Sequence, residues 1–168
     1  EFSHLLKKNI SKILIENKKD ISRAVKKGLR ENIIKRLELN EDKIKQIISS
    51  VNKISKLKDP VNNILSQWKV PNGLKIKRVT IPIGVIGVIY ESRPNVTSDI
   101  SCLCFKSGNS VILKGGTEAY YSNLIISNLF RQSLNKYKIN KNFVQFIKNR
   151  NRSVVRFMLS KMKNFIDV

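Results

Sequence analysis

The chain has 168 residues, with 33 Lys and Arg against 12 Asp and Glu, a formal net charge of +21 at pH 7. That excess excludes an acidic solvating protein and makes anions the expected partners, whether nucleic acid, a membrane surface, or a phosphorylated metabolite or cofactor. With 41% hydrophobic and 27% charged residues there is core material for a domain of ordinary size, while the longest apolar run, Thr80 to Tyr90, excludes a membrane-spanning role because a span needs roughly 20 residues.

Up to about residue 68 the sequence is rich in Lys and Asn. Ile and Leu recur there at three- and four-residue steps, as in Ile10, Ile13 and Leu14 and again in Ile44, Ile47, Ile48 and Val51. This pattern predicts a layer of amphipathic helices. Asn40 followed by Glu41 and Asp42 predicts a capped helix start with favourable charge in the first turn. Asp59-Pro60 ends that helix, and Pro71-Asn72-Gly73 marks a turn.

Beyond the turn the pattern changes. Leu74 to Thr80 alternates apolar and basic residues like a half-exposed strand, and Ile83 to Tyr90 reads as a strand buried on both faces. Strands and helices then alternate: a helix from about Val96 to Lys106, a strand Ser110 to Lys114, a helix from about Glu118 to Asn135, a strand Phe143 to Ile147, a helix from about Arg152 to Lys161 and a last strand from Phe165. That order is the mark of a parallel sheet with crossover helices. The expected fold class is α/β, with a helical arm over residues 1–70 and a Rossmann-like parallel sheet over 71–168. The chain opens on Glu1 and closes in an apolar run, so it reads as an incomplete part of a longer sequence.

In such a sheet the loops leaving the carboxyl ends of the strands bind ligands. Two loops meet that description, Glu91 to Asn95 and Lys114 to Glu118, and they place Glu91, Arg93, Asn95, Lys114, Gly115 and Gly116 on one rim. A lysine beside two glycines is a backbone that lets a nucleotide come close.

The words PIGVIGVIYESRPNVT at Pro82 to Thr97 and KSGNSVILKGG at Lys106 to Gly116 resemble gamma-glutamyl phosphate reductase, a member of the aldehyde dehydrogenase superfamily. Weaker similarity runs through GLRENIIKRLELNEDKI from Gly28 and the closing FIDV, so the resemblance spans nearly the whole chain. It implies reduction of L-glutamyl 5-phosphate to glutamate 5-semialdehyde with NADP(H), the second step of proline biosynthesis. Carried over residue by residue, Asn95 becomes the catalytic amide that donates to the carbonyl oxygen. Lys114, Gly115, Gly116 and Glu118 become the cofactor-binding set. Glu118 stands one position later than the acid that holds ribose hydroxyls in NAD-using relatives, which leaves room for a 2′-phosphate beside Lys114. From its charge and position, Arg93 is the candidate anion contact, to cofactor or substrate, and is assigned to substrate binding. The superfamily's cysteine nucleophile lies in a domain expected outside this chain, so the fragment is expected to be inactive alone.

The two cysteines present, Cys102 and Cys104, sit two apart among apolar residues and predict packing thiols rather than a nucleophile. Without a disulfide framework they fit a reducing compartment, and a cytoplasmic location follows. His4 reads as a solvated side chain, Trp68 as a packing anchor, and Gly84 and Gly87 as sites of close strand approach. No metal-ligand spacing is present, and a homo-oligomer is compatible with the resemblance. The alternative is a basic nucleic-acid-binding module, supported by charge alone. No aromatic-basic stripe or nucleic-acid-binding motif accompanies that charge, and nucleic acid is not the expected partner.

Overall fold

The computed structural model describes residues 1–162 and 164–168. Four helices come first, α1 (Phe2–Lys8), α2 (Ile10–Lys26), α3 (Glu31–Leu37) and α4 (Glu41–Lys56). Asn40 caps α4 as its sequence predicts: its side-chain oxygen accepts the Lys43 backbone N–H at 2.8 Å, with Glu41 and Asp42 in the first turn. That places an acceptor and negative charge where the first turn's free N–H groups need them.

The sequence pattern predicts a helical layer up to about residue 68 with its last helix ended by Asp59-Pro60, and the structure adds a strand inside that layer. α4 stops at Lys56, and residues 64–69 form strand β1 (Ile64–Lys69), paired antiparallel with β2 (Lys75–Val79). The cause is the turn between them. Gly73 adopts φ +89° and donates to the Val70 carbonyl at 2.9 Å, which sets Trp68 opposite Ile76 and Lys69 opposite Lys75. A residue with a Cβ disfavours that backbone. Trp68 is consequently no packing anchor: the hairpin stands away from the core, and its indole is 49% exposed.

The second sheet is parallel, in the order β3-β4-β5, from β3 (Val85–Tyr90), β4 (Ser110–Gly115) and β5 (Val144–Phe146). Helices α5 (Pro94–Lys106) and α6 (Tyr120–Lys136) make the crossovers, and α7 (Ser153–Lys161) follows. β4 is central and buried. β3 lies at an edge of the three-stranded sheet, so it is only half-buried, with Ile83 and Ile89 exposed, rather than covered on both faces. Residues 165–168 run beside β3 without forming a regular strand. The Asp167 N–H donates to the Val85 carbonyl at 2.8 Å, and the Gly87 N–H donates to the Val168 carbonyl at 2.7 Å. The glycines permit this approach, since a Cβ on Gly87 would sit 3.1 Å from two methyl carbons of Ile166. Close packing is therefore their role, as the spacing predicts.

One core joins the helical layer to the sheet. Leu6, Ile13, Ile44, Val111, Leu113, Ile126 and Val144 are each at most 1% exposed and belong to a single cluster. Burying side chains of this size contributes about 1.5–3 kcal/mol apiece. Phe130 of α6 stacks edge-on with Phe2 at 4.8 Å and with Phe105 at 5.9 Å, which fixes α1 and α5 against the same helix. No helix among the described residues is long and apolar enough to cross a membrane.

Candidate functional site

Because β3, β4 and β5 are parallel, their carboxyl ends at Tyr90, Gly115 and Phe146 share one edge. The loops leaving that edge, together with α3 and the residues before it, line a cavity of about 610 Å³. Arg30, Arg36, Arg93, Lys114, Arg150 and Arg152 face it, against the carboxylates of Glu91 and Glu118. Six cations against two anions give it an excess of positive charge that would attract anions.

Lys114, the penultimate residue of β4, is 5% exposed, and its Nζ donates to the Gly115 carbonyl at 3.2 Å. Burial holds its pKa below the usual lysine value, and the nearby Glu118 carboxylate opposes that shift. Glu118 is itself positioned, accepting from Thr117 Oγ1 at 3.0 Å and Ser92 Oγ at 3.4 Å. The two glycines have different reasons. A Cβ on Gly115 would collide with Asn123 Nδ2 and stand 3.1 Å from the Tyr90 ring, so packing forbids it. At Gly116 it would stand 2.7 Å from Glu118 Oε2 and 3.4 Å from the Glu91 backbone, so this residue keeps the space between the two carboxylate-bearing loops open.

A buried relay supports this edge. Tyr90 OH and Thr97 Oγ1 lie 2.8 Å apart, and Thr97 Oγ1 donates to Asn123 Oδ1 at 2.9 Å, which ties β3 to α5 and α6. Burial pushes the Tyr90 hydroxyl up to about 12. The Tyr90 phenol therefore stays neutral.

Asn95 falls in the first turn of α5, behind Pro94 at the helix start, rather than in a loop. It is exposed and donates to Asp99 Oδ2 at 3.5 Å. It borders a neighbouring cavity of about 430 Å³ that shares Arg36 and Arg93 with the first. Thus Arg93, Lys114, Gly115, Gly116 and Glu118 converge on one cavity, and Asn95 stands next door across Arg93. Cys102 is half-buried and its thiol is pushed up to about 12 by burial and by Asp99; Cys104 is buried and also raised. Neither is a thiolate near neutrality, in keeping with packing roles.

Four of the cavity's cations escape the sequence reading. Arg150 and Arg152 had a usable signal, since KNRNR follows β5 and therefore leaves the same sheet edge as the other two loops. Arg30 and Arg36 had none, because the packing of α3 over that edge depends on distant contacts. The same holds for Asp20. It is fully buried on α2 and accepts from the Tyr121 N–H at 3.1 Å, the Ser122 N–H at 2.8 Å and Ser122 Oγ at 2.8 Å, capping α6 beside the cavity. Asn17, one turn earlier on α2, donates to the Leu37 carbonyl and Ser122 Oγ and accepts from the Leu39 N–H.

No family model matches the chain. Its fold is that of part of an aldehyde dehydrogenase: it superposes on a probable aldehyde dehydrogenase from Listeria monocytogenes with a TM-score of 0.65 at 14% identity, over 95% of this chain and 33% of that one. Within that class the likeness sharpens. The chain is similar to the crystal structure of gamma-glutamyl phosphate reductase from Thermotoga maritima, with a TM-score of 0.93 and 38% identity, over 97% of this chain and 39% of that one. In sequence it is 45% identical over 163 residues to gamma-glutamyl phosphate reductase from Dictyoglomus thermophilum and 47% identical over 163 residues to gamma-glutamyl phosphate reductase 2 from Bacillus licheniformis, covering 97% of this chain in both cases. The chain is a homologue of the gamma-glutamyl phosphate reductases along nearly its whole length, and it spans 39% and 38% of the length of those two relatives.

Proposed function

We propose that the protein to which this chain belongs reduces L-glutamyl 5-phosphate to L-glutamate 5-semialdehyde with NADPH and releases phosphate, as in the second step of proline biosynthesis. The observation that carries this reading is the convergence of Arg93, Lys114, Gly116 and Glu118 on one cation-rich cavity at the carboxyl edge of a parallel sheet, in a chain homologous to the reductases throughout. The donor set fits a dinucleotide. Cations meet its phosphates, the fixed Glu118 carboxylate accepts from ribose hydroxyls, and Gly116 leaves the opening that a side chain would fill. When bound, the nicotinamide supplies the hydride.

The chain's own residues bind, orient and polarise. Arg93, on the boundary of the two cavities, holds an anionic group of the substrate between the cofactor cavity and Asn95. Asn95 donates its amide to the substrate's carbonyl oxygen as negative charge develops there. One such donor is worth about 3–4 kcal/mol in comparable sites. In this role Asn95 exchanges its long 3.5 Å bond to Asp99 for the substrate oxygen. The resemblance implies a cysteine nucleophile, a role that neither Cys102 nor Cys104 suits, since burial raises both thiols. The protein works in the cytoplasm, where such thiols stay reduced. The exposed apolar side chains of the hairpin, Leu65, Trp68 and Leu74, favour assembly with a second copy.

The test uses the full-length protein at about 0.15 M salt, with NADPH and duplex DNA titrated separately. NADPH binding, and turnover that Asn95→Ala lowers about 100-fold or more with cofactor affinity nearly unchanged, are the expected results. Salt-resistant DNA binding without NADPH affinity would overturn the reading. Full turnover in Asn95→Ala would remove that residue from the mechanism.

A further inference from the structure

We infer that Arg150 is the residue that distinguishes a 2′-phosphorylated adenosine cofactor from its unphosphorylated counterpart. This deepens the cofactor assignment proposed above and rests on it. The six cations of the cavity differ in how they are held. Arg30, Arg36, Arg93 and Arg152 are exposed, and Lys114 is buried with its ammonium on the Gly115 carbonyl. Arg150 is the intermediate case: it is half-buried, and its guanidinium lies 3.8 Å over the ring of Tyr120 and 5.0 Å from that of Tyr121.

Stacking on an aromatic face fixes the plane of a guanidinium and leaves the N–H groups at its edge free to donate. Such a fork matches two oxygens of a phosphate, whereas a lysine offers only a point charge. The residues that hold it are held in turn. Tyr120 opens α6 directly after the Gly115–Ala119 loop, and the Asp20 carboxylate fixes the backbone at Tyr121 and Ser122. Tyr121 also feels the positive charge of Arg150, which lowers its hydroxyl pKa. The cation is therefore oriented before any ligand arrives, so binding costs it less ordering than the exposed arginines.

Its position suits the 2′-phosphate. Arg150 leaves the carboxyl end of β5, next to the β4 loop that carries Glu118. Glu118 accepts from a ribose hydroxyl and would repel a phosphate placed at its own carboxylate. A phosphate on the neighbouring ribose carbon is then best met by a cation from the adjoining loop, and among the described residues Arg150 and Arg152 are those on the β5 side. Of these two only Arg150 is stacked on an aromatic ring.

The experiment compares wild type, Arg150→Gln and Arg150→Lys in the full-length enzyme, with NADPH, NADH, adenosine 2′,5′-bisphosphate and AMP as probes in fluorescence-quenching or calorimetric titrations. Near-ultraviolet circular dichroism checks that each variant is folded. Arg150→Gln should weaken NADPH and the bisphosphate about tenfold or more while changing NADH and AMP less than twofold, and Arg150→Lys should recover only part of the loss. Equal losses for phosphorylated and unphosphorylated probes, or no loss, would overturn the assignment. If wild type binds neither NADPH nor NADH, the cofactor reading itself fails; if wild type binds NADPH tightly and both variants keep the preference, only the role of Arg150 falls.

Discussion

Replacing Asp20 by alanine tests whether α2 organises the binding edge from 102 residues away. The carboxylate accepts three hydrogen bonds, two of them from backbone N–H groups in the first turn of α6. In Asp20→Ala, Ser122 Oγ still accepts from Asn17 Nδ2 at 2.9 Å, but its own O–H loses its acceptor; the hydroxyl can rotate toward another, whereas the two fixed backbone donors cannot and carry most of the loss. Each buried donor left without a partner costs about 1–3 kcal/mol. Removing a carboxyl whose burial already raises its pKa offsets part of this, which leaves a net loss of about 2 kcal/mol. By the relation of 1.4 kcal/mol to a factor of ten, hydrogen exchange at the Tyr121 and Ser122 amides should quicken about 30-fold in the variant. Exchange within about twofold of wild type would refute the cap. The sign of the pH effect also follows. A raised carboxyl pKa gives stability that is fully present below the ordinary value of 3.8 and is lost as pH rises through the folded-state value, so the gap between wild type and Asp20→Ala should narrow across that rise.

The remaining predictions concern the loop and the thiols. Gly115→Ala should destabilise by about 1–3 kcal/mol through collision with Asn123 and Tyr90, read as a lower urea midpoint with an unchanged slope; an unaltered midpoint would show that the pocket behind Gly115 yields freely. Lys114→Met should weaken NADPH and NADH by similar factors, since the ammonium is held on the Gly115 carbonyl inside the cavity wall; a loss confined to NADPH would assign the 2′-phosphate to Lys114 instead of Arg150. Cys102 should resist iodoacetamide in the native protein at pH 8, where a thiol with a pKa of about 12 is ionised to an extent on the order of 10⁻⁴. Rapid alkylation, followed by mass spectrometry of the peptide, would contradict the burial of that side chain.

What was legible in the sequence followed from local chemistry. The Asn40 cap, the strand-helix alternation from Val85 to Lys161 and the inert cysteines each depend on neighbours a few residues away, and the structure has them where the pattern puts them. The strand Ile64–Lys69, inside the stretch that reads as a helical layer, is not legible there because that short run lacks a clean period of two. Its strand conformation comes from pairing with β2, which a window along the chain does not see. The site divides in the same way. Lys114 and the two glycines announced themselves through loop chemistry and Glu118 through the family resemblance, whereas Arg30 and Arg36 reach the cavity only because α3 folds across the sheet edge. Even Gly115, which lines the cavity, has its reason in the packing of Asn123 and Tyr90.

Asn17 also has a meaning in time. Its amide closes on Ser122, 105 residues later, so on the ribosome α2 cannot complete its polar contacts until that serine has been made. At ordinary synthesis rates this is a wait of roughly 5–20 s. Through that interval Ile13 and Ala24, later almost fully buried, remain without their final covering from the rest of the fold. The lysines on the outer surface of the same helix keep the nascent arm charged and apart from its neighbours while it waits for its partner.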